Sequence, residues 1–525
     1  MVASLRSPGI EGWTRVLAKT YSVAFDGINS IPVEVEANIG PGLPGTYIVG
    51  MASAAVIEAK DRIKTAAHNR NLPWPKTKIT VNLLPGDISK TGNHFDAAIA
   101  TAILVAQSGD TDLHRRAART LIVGEIGLDG RLRGVRGTLP GILCAHRNKI
   151  PTAIIPHANI EEAQVAAGIG VEIRAAKTVG DIVAWLRGDI VLPTVSSCPN
   201  PQTPPQGVVD MNQIMDQSVA KEAAEIAAAG GHSLFLTGPR GSGKSMIAER
   251  IPTILPPLNQ AEAIETAAIY ARAGQRMSHE AYRAPFVAPH HSVSAAALIG
   301  GGHGHPKPGA ASLAHHGVLF LDEVSEIPAR VLDHLRVPLE QGCVRLQRRH
   351  RIIELPAQFL LIMAANLCRC AAHEVSECTC SATTRAKYLA NISGPLRDRI
   401  DIYAKTHSRG TVTPATTVES SANIAQRVSQ ARSRARYRWE KAGFGPMINA
   451  TLEPAVVRRN HPADDEAMAM MSSFLARGLI TQRGVDRILK IAWTLADLEG
   501  APQPGVDHIA RASKLRGSER SYANI

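Results

Sequence analysis

The apolar positions of this chain fall into two alternating spacings, short runs of strand character and longer stretches that repeat every three to four residues. Val33-Glu34-Val35-Glu36-Ala37, Ile79-Thr80-Val81-Asn82-Leu83 and Leu121-Ile122-Val123-Gly124 predict strands, and residues 54–69, 96–106 and 139–146 predict helices between them. The first part is therefore expected to be an α/β domain. Residues 198–206, Cys-Pro-Asn-Pro-Gln-Thr-Pro-Pro-Gln, can bury little and read as a semi-rigid spacer. Beyond it a helix over 219–229, stopped by Gly230-Gly231, precedes the apolar run Ser233-Leu234-Phe235-Leu236-Thr237. Val318-Leu319-Phe320-Leu321-Asp322-Glu323 and Phe359-Leu360-Leu361-Ile362-Met363-Ala364-Ala365-Asn366 predict further buried strands of a parallel sheet. Strand patterns stop after about residue 405, where residues 421–441, 463–477 and 482–499 read as helices of a small all-α lid. There is no internal repeat.

A chain of 525 residues is too long for one core, and two to four domains are expected. With 45% hydrophobic and 20% charged residues it has the balance of a soluble globular protein. No apolar run is long enough for a membrane span and Met1 to Pro8 lack a signal-peptide core, so the expected location is cytoplasmic. The net charge of +12 favours a polyanionic partner. Four of the seven cysteines crowd into residues 368–380, a distribution that speaks against a disulfide framework and for metal or packing.

The segment that changes the picture most is Gly238-Pro239-Arg240-Gly241-Ser242-Gly243-Lys244-Ser245. It fits G-x-x-x-x-G-K-[ST], follows a strand run and opens a helix pattern at Met246 to Arg250. Its glycines let backbone N–H groups close on phosphate oxygens, Lys244 supplies a positive charge to the β- and γ-phosphates, and the Ser245 hydroxyl can ligate Mg²⁺. Roughly 75 residues on, Asp322 can hold the Mg²⁺ shell while Glu323 polarises the attacking water. Asn366, at the end of the third strand, can orient that water. These residues predict ATP binding and hydrolysis.

Those motifs, with Ala288-Pro289-His290-His291-Ser292, Gly300-Gly301-Gly302, Ser312-Leu313-Ala314-His315 and Ile392-Ser393-Gly394-Pro395-Leu396-Arg397-Asp398-Arg399-Ile400-Asp401, resemble the ComM (YifB-type) family of magnesium-chelatase-like AAA+ ATPases. The resemblance covers nearly the whole chain from about Val16. It implies a division into an extension over 1–15, a Lon-protease-like (ribosomal S5 domain 2-like) α/β domain over 16–190, a Pro-rich linker over 191–209, a P-loop AAA+ core over 210–405 with a Cys-rich loop at 368–380, and a helical lid over 406–525. It further implies Gly238 to Ser245 as Walker A, Asp322 and Glu323 as Walker B, Asn366 as sensor 1, Arg399 as an arginine finger acting across a subunit boundary in a ring, most simply a homohexamer, and Arg483 as the sensor 2 arginine. The chain departs from the family pattern at Arg240, Ala310, Leu367 and Arg369. From the residues alone, Arg399 can equally be read as an ion-pair partner of Asp398 or Asp401.

Within this frame Val344 to Leu355 reads as a β-hairpin whose tip carries Arg345, Arg348, Arg349 and Arg351, able to grip phosphates without reading bases; a solvated turn is the plainer alternative. Arg427, Arg432, Arg434, Arg436, Arg438 and Lys441 read as a solvated helix surface, and the loop carrying His303 and His305 as flexible enough to line the pore of a ring, as the resemblance implies for the hairpin. Cys368, Cys370, Cys378 and Cys380, with His373 as an alternate, suit tetrahedral Zn²⁺, against free thiols or a redox pair. The family's N-terminal domain raises proteolysis, but His94 and Leu139 stand where a serine nucleophile and its lysine partner would be. Three functions remain: a motor acting on DNA, as in ComM-like helicases that drive branch migration; a chelatase-type motor remodelling a protein partner for metal insertion; and a non-enzymatic scaffold, against which Lys244, Glu323 and Arg399 argue.

Overall fold

The computed structural model describes residues 17–26, 29–197, 209–275, 282–302, 307–348, 351–370, 372, 377–407 and 418–517. Residues 1–15, most of the Pro-rich tract, His303, His305, Arg349 and His373 lie outside the described residues. Two compact units are formed, Met1–Pro199 with Ala263–Ala281 and Asn200–Glu262 with Tyr282–Ile525.

In the first unit seven strands make one mixed sheet, in the order Gly45–Val49, Lys78–Leu84, Asn29–Gly40, Leu17–Asp26, Thr120–Ile122, Thr152–Pro156 and Glu172–Ala176. Asn29–Gly40 runs antiparallel to both of its neighbours, whereas the other pairings are parallel. The helices Ala54–Asn69, Asp96–Ser108 and Thr138–Arg147 stand where the apolar spacing puts them. Asp96–Ser108 is apolar all round, and every residue from Asp96 to Ala106 is buried. Asp96 is tolerated there because Arg62 donates to both its carboxylate oxygens, at 3.0 to 3.1 Å. His94 and Leu139 are also buried. The His94 Nε2 lies 2.7 Å from the Val23 carbonyl and its ring packs on Phe25 and Phe95.

The second unit holds five parallel strands, in the order Phe286–Val287, Val318–Leu321, Leu360–Ala365, Leu234–Thr237 and Ile402–Lys405. Apart from Phe286–Val287 and the last strand's Tyr403 and Lys405, their residues are buried, as a sheet covered on both faces requires. The helix Ser218–Gly230 packs beneath this sheet, and Ser421–Lys441, Asp465–Ala476 and Gln482–Glu499 follow the predicted lid pattern. Two more helices, Pro454–Asn460 and Val506–Arg516, escape that pattern because they bury so little: Val457 in the first, and Ile509, Ala512 and Arg516 in the second.

The arginines of Ser421–Lys441 correct the expectation of a solvated face. Arg427 pairs with Glu225 and Glu419, Arg432 donates to the Ala228 carbonyl at 2.7 and 2.9 Å, and Arg434 to that of Asp497 at 2.5 Å. Arg438 pairs with Asp497 and stacks 4.0 Å over the Trp493 ring. Arg427 and Arg432 thus fasten the lid to the helix Ser218–Gly230, and Arg434 and Arg438 join two helices within the lid.

Burial pushes the His94 imidazole from 6.5 down to about 4, so the folded chain holds it neutral while an unfolded chain protonates it below about 6.5. Stability from this residue is present above that value and is lost as pH falls toward 4. At ~1.4 kcal/mol for each pH unit across that window, the loss is roughly 3 kcal/mol. His94→Gln, which keeps a donor for Val23, is expected to flatten the fall in denaturant stability of the first unit between pH 7 and pH 4; an unchanged slope would place the acid sensitivity elsewhere.

Candidate nucleotide site

The carboxyl ends of four neighbouring strands meet at residues 238–245, as ligand sites in parallel sheets do. Leu234–Thr237 delivers the glycine loop, Val318–Leu321 delivers Asp322 and Glu323, Leu360–Ala365 delivers Asn366, and Ile402–Lys405 delivers Thr406. Gly238 must be glycine: a Cβ there would stand 2.2 Å from Thr406 Oγ1 and 2.4 Å from the Thr406 carbonyl oxygen. Gly241 and Gly243 take φ of +75° and +85° with open space where a Cβ would project, which leaves the loop's backbone free to approach a ligand. Gly243 caps the helix Lys244–Arg250, which starts two residues before the apolar pattern indicates.

Lys244 is 7% exposed, and its ammonium donates to the carbonyls of Gly238 (2.9 Å) and Pro239 (2.6 Å) and to Asn366 Oδ1 (3.1 Å). Burial lowers its pKa, while Asp322 and Glu323 pull it back up. Ser245 Oγ donates to Asp322 Oδ2 at 2.7 Å, and Asp322 Oδ1 accepts from the Glu323 N–H at 2.8 Å. Ser242 Oγ lies 2.6 Å from Thr406 Oγ1, closing the loop onto the last strand. This set fits a triphosphate with a hard divalent cation. A hydroxyl and a carboxylate converge on one point, open glycine backbone surrounds it, and the buried cation is held only by neutral oxygens it can exchange for phosphate. Arg240, where the family pattern has proline, is exposed at the loop's tip.

Glu323 leaves the strand at once, at φ +47°, ψ +42°, and its Oε2 lies 3.2 Å from His291 Nδ1. Arg399 pairs with neither Asp398 nor Asp401. Its guanidinium reaches Glu340 and the Pro395 carbonyl. Asp398 instead meets Arg483 at 3.1 Å, on a largely exposed side chain at the start of Gln482–Glu499. Asp401 is buried; burial would raise its carboxyl, but Arg487, His232 and Lys490 hold it well below the ordinary range. Sequence reasoning passed over His291, Glu340, Thr406 and Arg487; of these only His291 carried a signal, the Pro-His-His string.

Cys343–Arg348 and Arg351–Pro356 form the expected antiparallel hairpin, closing on the pair Arg348 and Arg351, with Arg345 bonded to Glu354 at 2.8 Å on the exposed side. Gly300–Gly301 and Lys307–Pro308 form a second, smaller hairpin, and Ala310 opens the buried helix Ala310–Leu313 behind it. The four cysteines come together: their sulfurs all lie within 4.8 Å of one another, with Cys368 and Cys370 at 2.9 Å and Cys370 and Cys378 at 3.6 Å.

Sheet order, phosphate loop and lid together define an AAA+-type P-loop unit. Family models agree: that of "Magnesium chelatase, subunit ChlI" matches residues 210–413, "Subunit ChlI of Mg-chelatase" residues 35–159, and "Magnesium chelatase, subunit ChlI C-terminal" residues 418–516. An uncharacterized protein of Mycobacterium tuberculosis is 42% identical over 503 residues, 95% of this chain and 98% of its own length. Competence protein ComM of Haemophilus influenzae is 35% identical over 519 residues, 96% of this chain and 98% of its own. YifB of Escherichia coli, uncharacterized, is 35% identical over 520 residues, 97% and 99% of the two chains. The chain belongs to the ComM/YifB-type magnesium-chelatase-like family of AAA+-type ATPases. Among the described residues no helix is long and apolar enough to cross a membrane.

Proposed function

We propose that this protein is an ATP-hydrolysing ring motor that acts on DNA, in the manner of branch migration or strand separation. The nucleotide half of this reading rests on the gathering of Lys244, Ser245, Asp322, Glu323 and Asn366 at the ends of adjacent strands. Lys244 exchanges carbonyl oxygens for β- and γ-phosphate oxygens when ATP enters the loop. Ser245 and Asp322 would hold Mg²⁺, which would supply charge neutralisation at those oxygens. Glu323 takes the proton of the attacking water and Asn366 orients that water. Arg399 and Arg483 supply further positive charge. Arg399 acts on a neighbouring subunit's phosphate in a ring, most simply a hexamer, and exchanges Glu340 and the Pro395 carbonyl of its own chain for that phosphate.

The arginine hairpin carries the DNA half. In chain order it lies between the strand that ends at Asp322 and the strand that ends at Asn366, which themselves pair side by side, so the chain offers a route from it to both. Arg345, Arg348, Arg349 and Arg351 suit phosphate contacts that do not depend on sequence. One relative's name, a competence protein, accords with a role on DNA. The magnesium chelatase descriptions of the family models favour the other reading, a motor that remodels a protein partner for metal insertion. ATPase rates with and without single-stranded, duplex and four-way-junction DNA separate the two. DNA is expected to raise the rate, less so as salt rises, and charge reversal at Arg348 and Arg349 is expected to bring the ratio of stimulated to basal rate toward unity. A wild-type rate indifferent to all three DNAs would favour the protein partner.

Cys368, Cys370, Cys378 and Cys380 would hold a structural Zn²⁺. Four thiolates at Zn–S of 2.3 Å stand about 3.8 Å apart in a tetrahedron; Cys370 and Cys378 at 3.6 Å match that spacing, and Cys368 and Cys370 at 2.9 Å would open to reach it. About one Zn²⁺ per chain is expected by metal analysis of purified protein, lost when Cys368 and Cys370 both become serine; zinc-free protein with four titratable thiols here would rule the site out.

A further inference from the structure

The first unit carries an exposed surface on which cations and aromatic rings follow one another. It begins at the short hairpin of Glu125–Ile126 and Leu132–Arg133. The Gly127 N–H donates to the Arg131 carbonyl at 2.9 Å and the Gly130 N–H to that of Gly127 at 2.8 Å, so the turn is closed by its own backbone. The end of the helix Ala54–Asn69 braces it, with Asn69 Nδ2 donating to the Leu128 carbonyl at 2.8 Å and Arg70 Nε to that of Asp129 at 2.7 Å. Arg131 and Arg133 leave this turn with side chains 69% and 60% exposed. The acid of the turn, Asp129, lies 3.9 and 3.2 Å from their guanidiniums and accepts from the Arg131 N–H at 3.1 Å, so it is engaged within the turn and the outward charge is positive.

From the turn the chain runs Arg70-Asn71-Leu72-Pro73-Trp74-Pro75-Lys76-Thr77-Lys78 into the strand Lys78–Leu84, with three cations, a tryptophan and no acid. Trp74 is half-buried and lines one apolar recess with Leu72, Gly130 and Val179, which keeps it beside the hairpin turn. Prolines on both sides of it restrict the backbone. Lys76 and Lys78 are exposed. At the far end Lys78 Nζ stands 5.4 Å over the ring of Tyr47, which is 51% exposed on the edge strand Gly45–Val49. Arg70 thus precedes the Trp74 ring, Lys76 follows it and Lys78 covers the next ring, Tyr47.

We propose that this surface is a second polynucleotide site, on which Arg70, Lys76, Lys78, Arg131 and Arg133 hold the backbone of a single strand and Tyr47 and Trp74 stack its unpaired bases. Cations alone would suit any polyanion. Rings interleaved with cations suit a strand whose base faces are open, which a duplex does not offer. The proposal rests on the reading of this protein as one that acts on DNA, and it adds a contact on the first unit that the arginine hairpin does not supply.

The test measures binding of a fluorescently labelled oligo(dT) strand to the full-length protein by anisotropy, without nucleotide and across a range of salt. Arg131→Glu/Arg133→Glu is expected to weaken binding about tenfold and to lower the slope of log K against log salt by about 1.4, twice the single-strand value of about 0.7 per phosphate. Tyr47→Ala, which changes no charge, is expected to weaken binding at least about fivefold, the low end of what a stacked base supplies, and Tyr47→Phe to restore it. Basal ATPase and thermal melts should match wild type in all three variants, which shows that they are folded. Arg115→Glu/Arg147→Glu makes the same charge change at exposed positions on other helices of the first unit, and should leave affinity within about twofold. An equal loss in that control would overturn the site, as would wild-type affinity in both Arg131→Glu/Arg133→Glu and Tyr47→Ala; either result leaves the arginine hairpin as the DNA contact. Wild-type protein that binds no oligo(dT) would instead overturn the reading on which the proposal rests. Polyglutamate bound as tightly as oligo(dT), with no effect of Tyr47→Ala on either, would overturn the role of the rings and make the surface one for polyanions in general.

Discussion

A buried ammonium with no carboxylate in direct contact is costly, and the candidate nucleotide site is arranged around one. Lys244 sits at the junction of the phosphate loop and the strand Leu360–Ala365, satisfied by two loop carbonyls and by Asn366. Those partners exist only if Leu234–Thr237 and Leu360–Ala365 are adjacent and parallel, as their register from Leu234 with Ile362 to Thr237 with Ala365 makes them. Two further pairings, Val318–Leu321 with Leu360–Ala365 and Ile402–Lys405 with Leu234–Thr237, bring Asp322 to Ser245 and Thr406 to Ser242. Neutral oxygens keep the cation available in a way that a salt bridge would not, since breaking a buried ion pair costs several kcal/mol.

A second buried charge fixes the lid. Asp401 accepts from the Ser233 N–H and pairs with Arg487 of Gln482–Glu499, while His232 reaches Asp401 on one side and Thr494 of the same helix on the other. The start of the phosphate-loop strand is therefore tied to the lid helix that also carries Arg483. The lid and the base of the phosphate loop are thereby joined through one set of hydrogen bonds and ion pairs. Trp439, fully buried, with its indole N–H on Asn449 Oδ1 at 2.9 Å, completes the lid's own core.

Much of this was legible in the sequence because it is local. The glycine loop, the three apolar strand runs, the hairpin and helices such as Ala54–Asn69, Ser421–Lys441 and Gln482–Glu499 are each specified within a short window. What escaped is non-local. The pairing of Glu323 with His291 spans 32 residues and that of Arg399 with Glu340 spans 59, and no periodicity encodes either. The arginines of Ser421–Lys441 look solvated at their helical spacing, yet their partners Glu225, Ala228 and Asp497 come from other helices. The cysteines were grouped correctly from spacing because four soft ligands within 13 residues can hardly avoid one another.

The account stands on a division of labour at one strand-end cluster, in which Lys244 binds phosphate and Glu323 only activates water. Equilibrium binding of ATP and steady-state hydrolysis, measured side by side in Lys244→Ala and Glu323→Gln, test that division directly. The account predicts that Lys244→Ala loses binding and hydrolysis together, whereas Glu323→Gln binds ATP with near wild-type affinity and does not turn it over. Equal loss of binding in both variants, or turnover surviving in either, would contradict it.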